Sequence, residues 1–247
     1  MIKIKICGIT SEDEINYLNL LKPDYVGFVF AQSKRKINKD KAEKLSSKLI
    51  YNIKKAGVFR NQTIEEIVDI LNTVNLDVIQ LHGKEDIDFI RCLREKTNDH
   101  IEIWKAVSIE NINEIEKYSR EEYEENKNNI TTKKLIDKYV IDGQNPGSGK
   151  AYPLDLLNKY LNNNINHVDF FLAGGITPDN VRNKVLEIKP FGIDVSSGVE
   201  ITDERGQRKK SLDKMIKLIK EVEDISKYKQ LDIEYKLLHR KESYRMI

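Results

Sequence analysis

The amino-acid sequence predicts an α/β fold in which eight βα units close into one parallel barrel, and three observations predict it. Short runs rich in β-branched and aromatic residues alternate with longer stretches of helical period from one end to the other. The chain has 247 residues, close to the roughly 250 of one such barrel, and no linker divides it. Its last two strand-ending turns carry glycines and small hydroxyl residues, as the final loops of a barrel do when they hold phosphate. The expectation is a single (β/α)8, or TIM, barrel over residues 1–222. It has a lengthened connection between the fifth and sixth strands and a helical C-terminal extension at 223–247, packed on the barrel or on a partner subunit.

The first strand, Lys3 to Cys7, alternates charged and β-branched residues and is followed by a helical pattern from Ser11 to Leu21. Asp24 to Phe30 and Ile53 to Val58 are the next strands, with helices over Asn38 to Leu49 and Thr63 to Val74. Thr63 and Glu66 have capping-box spacing at the start of the latter. Strands at Asp77 to Leu81 and Ile101 to Ala106 are followed by helices at Glu85 to Lys96 and Glu110 to Arg120. Residues Tyr118 to Lys138 are too polar for a full packed helix and read as a partly mobile connection. Tyr139 to Asp142 is the sixth strand, with a helix at Pro153 to Leu161. Val168 to Ala173 then runs into Gly174-Gly175-Ile176, with Thr177 as N-cap and Pro178 as first residue of a helix to Ile188. Phe191 to Val195 is the eighth strand, and a last helix follows from Ser211 to Val222.

Composition excludes several functions. Forty-two basic against forty acidic residues leave +2 with no basic block, so neither nucleic acid nor an anionic membrane surface is an expected partner. No apolar run reaches the roughly 20 residues that span a bilayer, and the start lacks the apolar core of a signal peptide. Two cysteines, Cys7 and Cys92, suggest reduced thiols in a cytoplasmic protein. Cys92, within a helix, reads as packing. His82, His100, His167 and His239 have no ligand spacing with each other or the cysteines, so no metal is expected.

Strand parity selects the residues that face the barrel mouth, because side chains two apart point the same way. It turns Ile2, Ile4 and Ile6 towards the helices and Cys7 inward. Tyr139 and Ile141 face out, while Asp142 and Asp194 face in. A thiolate at position 7 can take a proton from carbon, and an aspartic acid at 142 can donate one if burial or nearby negative charge raises its pKa. Arg35, after the second strand, suits a substrate carboxylate, which a planar guanidinium grips bidentately. His82, at the end of the fourth strand, lines the mouth. The anion seat is assigned to Gly174, Gly175, Ser196, Ser197 and Gly198, with further donors from Gly147, Ser148 and Gly149.

In combination these stretches resemble one family, the phosphoribosylanthranilate isomerases of tryptophan biosynthesis. The resemblance rests on Lys5-Ile6-Cys7-Gly8-Ile9-Thr10, Gly27-Phe28-Val29-Phe30 with Arg35, Gly57-Val58-Phe59 and Gln80-Leu81-His82-Gly83. It continues through Ile141-Asp142 with Gly147-Ser148-Gly149, Ala173-Gly174-Gly175-Ile176 and Gly192-Ile193-Asp194-Val195-Ser196-Ser197-Gly198-Val199-Glu200. It implies a cofactor-free Amadori rearrangement of N-(5-phosphoribosyl)anthranilate to 1-(2-carboxyphenylamino)-1-deoxyribulose 5-phosphate. Asp142 would be the acid, Cys7 the base, and Arg35 the holder of the anthranilate carboxylate; His82 and Asp194 would also face the substrate. The implied partner is a small phosphorylated molecule, and the implied assembly a monomer or homodimer. A related barrel isomerase of histidine biosynthesis, with an aspartate in place of Cys7 and two phosphate seats, is one rival. A non-catalytic barrel that binds a phosphorylated ligand is another.

Overall fold

The computed structural model describes residues 1–128, 134–143, 157, 160, 161, 168–204, 206–225 and 227. Eight parallel strands pair in sequence order and close on themselves. They are β1 (Lys3–Cys7), β2 (Tyr25–Val29), β3 (Lys54–Phe59), β4 (Val78–Leu81), β5 (Glu102–Ser108), β6 (Lys138–Asp142), β7 (Phe170–Ala173) and β8 (Gly192–Val195). Outside them run α1 (Glu12–Leu21), α2 (Lys39–Ser46), α3 (Ile64–Leu71), α4 (Ile87–Lys96), α5 (Glu114–Asn128), α6 (Val181–Ile188) and α7 (residues 212–225). Residues 157, 160 and 161 are helical in the connection from β6 to β7.

The period of two along each strand divides the apolar residues into two cores. Ile4, Ile6, Tyr139, Ile141 and Ile193 face outward and pack with Leu18, Leu45, Ile67 and Ile90 of the helices. The lumen holds Tyr25, Ala56, Val78, Trp104, Val140 and Phe171. Trp104 stacks on Phe171 with ring centroids 4.5 Å apart and meets the edge of Tyr25 at 4.9 Å. These side chains plug the barrel, so the chemistry must sit above them at the C-terminal mouth. Below them, at the opposite end, Glu102 accepts from Lys54 Nζ at 2.8 Å, Lys138 Nζ at 2.7 Å and Trp104 Nε1 at 2.8 Å.

Helix starts follow local chemistry. Ser11, Asn38, Thr63 and Asp86 cap α1 to α4 through their side chains, and Thr63 with Glu66 forms the full reciprocal box.

Three expectations are corrected. Thr177 does not cap α6: its N–H is taken by Asn180 Oδ1 at 2.9 Å, so a bonded turn over 177–180 delays the helix to Val181. The polar stretch after Tyr118 is helical as far as Asn128. Glu, Lys and Arg are good helix formers, and buried Ile115 and Tyr118 anchor the helix, the latter donating its hydroxyl proton to Glu85 O at 3.0 Å. Cys92 is exposed, because α4 buries Ile87, Ile90, Leu93 and Arg94 and position 92 falls on the other side. The last helix, α7, continues past the expected end at Val222 and buries Ile225. Residues 228–247 lie outside the described residues, as do His167 and His239.

One element has no counterpart in the sequence reading. Between β8 and α7 an antiparallel hairpin forms from β9 (Glu200–Thr202) and β10 (Arg208–Lys210), with Gly206 at φ +74° in its turn. It lies beside the mouth and delivers Glu200, Arg208 and Lys210 to it.

Candidate active site

A cavity of about 680 Å³ opens at the C-terminal mouth. Cys7, Arg35, His82, Asp142, Gly174, Gly175, Asp194, Ser196, Ser197 and Gly198 all line it, so the described sequence-predicted residues share one space. Gly147, Ser148 and Gly149 lie outside the described residues.

Cys7 ends β1 and pairs in register with Gly27 of β2. A Cβ at Gly27 would stand 2.5 Å from Cys7 Sγ, so glycine is what leaves room for the thiol. Two residues back on the same face, Lys5 is completely buried and donates to Asp194 Oδ2 at 2.8 Å across the β1–β8 seam. Burial pushes the Cys7 thiol pKa up; the nearby Lys5 ammonium pulls the other way, Asp194 adds to the rise, and Lys210 opposes it. Burial works to discharge Lys5, but Asp194 and Cys7 together outweigh it and hold the amine above the ordinary lysine range. The second carboxylate oxygen of Asp194, Oδ1, is buried and has no hydrogen-bond partner among the described residues.

Asp142 ends β6 beside Gly174, whose φ of +84° only glycine adopts easily and whose Cβ would lie 2.5 Å from Asp142 Oδ1. His82 Nε2 stands 3.4 Å from Asp142 Oδ2, and Gln80 Nε2 is 3.2 Å from His82 Nδ1. A short polar chain therefore crosses the mouth from β4 to β6. Asp142 Oδ1 is buried without a hydrogen-bond partner among the described residues.

Arg35 is less free than its assignment as a carboxylate fork implies. Nη1 donates to Glu14 Oε1 at 2.8 Å and Thr10 Oγ1 at 2.9 Å, and Nε donates to Glu200 Oε1 at 3.1 Å. Nη2 lacks a hydrogen-bond partner among the described residues, and it is buried. Gripping a ligand through two nitrogens would require the guanidinium to release one of these partners. Glu200 is shared in turn with Lys210 Nζ at 2.9 Å and Arg208 Nε at 3.0 Å. Lys210 also donates to Ser196 O at 3.0 Å and Ser196 Oγ at 3.2 Å. One buried network thus joins the arginine to the loop after β8. Gly198 in that loop is obligatory, since a Cβ there would meet Ile176 O at 1.8 Å. Gly175, at φ +60°, has open space where a Cβ would be.

Sequence reasoning missed Lys5, Glu14, Gln80, Glu200 and Lys210. For Lys5 the signal was present: parity turns it inward, and an inward lysine in a closed barrel needs a counter-ion from the neighbouring strand. Glu14 and Lys210 gave no such signal, because an acid in a first helical turn and a lysine in a basic run usually face water. Among the described residues no group of three or more His, Cys, Asp and Glu is arranged to hold a metal ion.

Fold and mouth together define a class, the barrel enzymes that move protons on small anionic substrates. The family model for N-(5'-phosphoribosyl)anthranilate (PRA) isomerase matches residues 4–221. An N-(5'-phosphoribosyl)anthranilate isomerase from Clostridium beijerinckii is 46% identical over 236 residues, covering 92% of this chain and 99% of its own. The phosphoribosyl anthranilate isomerase structure from Thermotoga maritima aligns with a TM-score of 0.73 at 32% identity, covering 91% of this chain and 100% of that one. A phosphoribosyl anthranilate isomerase solved in complex with reduced 1-(o-carboxyphenylamino)-1-deoxyribulose 5-phosphate gives 0.71 at 30%, with the same coverage. The chain belongs to the phosphoribosylanthranilate isomerase family, and it is an isomerase of tryptophan biosynthesis.

Proposed function

We propose that this chain carries out the Amadori rearrangement with Asp142 as general acid and Cys7 as general base. Asp142 gives a proton to the furanose ring oxygen of N-(5-phosphoribosyl)anthranilate, opening the sugar to a Schiff base. The Cys7 thiolate takes the proton from C2′, and the resulting enolamine tautomerises to the ketone. The observation that carries this reading is that Cys7 and Asp142, on the inward faces of β1 and β6, line one cavity with the two glycine turns.

The turns Gly174-Gly175 and Ser196-Ser197-Gly198 seat the phosphate, which anchors the substrate without reacting and lends its binding energy to positioning C1′ and C2′. The molecule bound in the related structure, reduced 1-(o-carboxyphenylamino)-1-deoxyribulose 5-phosphate, carries a carboxylate and a phosphate and supports a site with two anionic ends. At the other end Arg35 takes the anthranilate carboxylate through Nη2, the donor its protein partners leave unspent. Asp194 Oδ1 and His82 complete the substrate contacts. Burial raises the Cys7 thiol, so the thiolate is a minority form near neutral pH and turnover rises as pH increases through the thiol pKa.

Every residue in this reading comes from one chain, so a monomer suffices and a homodimer would carry two independent sites. No helix among the described residues is long and apolar enough to cross a membrane. Two free thiols fit a cytoplasmic location.

Loss of anthranilate-type fluorescence from freshly generated phosphoribosylanthranilate, in phosphate-free buffer, tests the roles. The wild type should consume substrate rapidly, and Cys7→Ala and Asp142→Asn, verified as folded, should each be slowed by about 10²-fold or more. Wild-type rates in either variant would remove that residue from the mechanism.

A further inference from the structure

Lys5 is a fully buried ammonium at the floor of the mouth, and no step of the reaction above uses it. Its position is set by β1, which turns Lys5 and Cys7 to the same face two residues apart, and by β8, which brings Asp194 into register with Lys5. We propose that Lys5 is a positioning residue for the isomerisation: its ammonium, clamped by Asp194, stabilises the thiolate of Cys7 when that group acts as base. The proposal deepens the reading of Cys7 given above and rests on it.

The geometry favours this role over a purely structural ion pair in two ways. A lumen already plugged by Trp104, Phe171 and Tyr25 has no need of a buried lysine to fill it, and burying such a pair is seldom stabilising in itself. The ammonium is bonded to Asp194 Oδ2 at 2.8 Å and lies on the same inward face of β1 as Cys7, two residues away. The other charged groups facing Cys7 are Asp194 from β8 and Lys210 from β10; β2 presents only Gly27. Asp142 and His82 line the same cavity from β6 and β4. Lys5 pulls the thiol pKa down and Asp194 pushes it up.

The test is a titration of thiolate absorbance near 240 nm in the full-length, ligand-free protein carrying Cys92→Ser, with Cys7→Ala/Cys92→Ser as the blank. Lys5→Met should move the Cys7 midpoint upward by about one to three pH units, the range expected on losing an opposite charge at contact. Lys5→Arg, which keeps the charge, should hold it near the parent value. Since Lys5→Met leaves Asp194 buried without a counter-ion, Lys5→Met/Asp194→Asn provides a neutral pair that keeps the fold, and its midpoint should still rise. The rising limb of kcat/KM against pH should follow the titration in Lys5→Met. An unchanged or lower midpoint in both Met-containing variants would overturn the proposal. The base assignment is tested separately: wild-type turnover in Cys7→Ala would defeat that reading while the titration still reports what Lys5 does to the thiol.

Discussion

Replacing Gly27 with alanine tests the active site without touching any group that reacts. The new Cβ would stand 2.5 Å from Cys7 Sγ and 3.1 Å from Cys7 Cα. Ordinary contact distances are about 3.5–4.0 Å, so the sulfur must retreat by about 1 Å. The β1–β2 ladder, in register at Cys7 and Gly27, resists movement of the backbone, and the displacement falls mainly on the side chain. A misplacement of about 1 Å is worth about 10²-fold in rate, equivalent to about 2.7 kcal/mol on the barrier. Overpacking adds a destabilisation of about 1–3 kcal/mol, which lowers the melting temperature by about 2–12 °C in a chain of this size. The assay is the fluorescence decay with varied substrate, alongside thermal melting followed by circular dichroism. We expect kcat to fall by about two orders of magnitude with KM within a few-fold of the parent, because Gly27 lies away from the glycine turns that seat the phosphate. A folded Gly27→Ala enzyme with kcat within twofold of wild type would refute the reasoning, since Cys7 would then tolerate displacement from the place assigned to it.

Two further outcomes follow from charged groups at opposite ends of the barrel. Burial works to raise the pKa of Glu102, but hydrogen bonds from Lys138, Lys54 and Trp104 more than reverse it, taking it to about 2. A carboxylate depressed in the folded state contributes stability that is complete above its unfolded value near 4.3 and is lost as pH falls towards about 2; for Glu102 that is about 3 kcal/mol. Urea unfolding of Glu102→Gln should show that much less loss between pH 5 and 2 than the parent, and an identical pH dependence would count against it. At the mouth, Lys210→Met should destabilise by about 1.5–3 kcal/mol, since Glu200 loses one of three cationic partners and keeps Arg35 and Arg208. It should also raise KM about tenfold by loosening both Ser196 and Arg35, with partial recovery in Lys210→Arg; a KM equal to the parent's would show that the network does not bear on binding.

The order and number of strands were legible because side-chain alternation and turn chemistry are local properties. β1 begins and ends where the sequence predicts it, and parity alone turned Cys7, Asp142 and Asp194 into the mouth. The glycines could be marked as special, but Gly27 and Gly198 owe their necessity to atoms distant in sequence, Cys7 Sγ and Ile176 O, and no local pattern reveals such contacts. A helix was legible as far as Arg120, but its continuation to Asn128 escaped because that stretch is almost wholly polar and gives no apolar period.

What the sequence determined by itself was the eightfold βα rhythm, the inward set at each strand end and the glycine turns, all fixed by backbone sterics and by periods of two and 3.6. Only the tertiary structure decided which charges meet. Lys5 pairs with Asp194 across 189 positions, and Glu200 joins Arg35 across 165. It took closure of the barrel and the unforeseen β9–β10 hairpin to bring those groups together, because burial makes an ion pair necessary but does not say which opposite charge will be near.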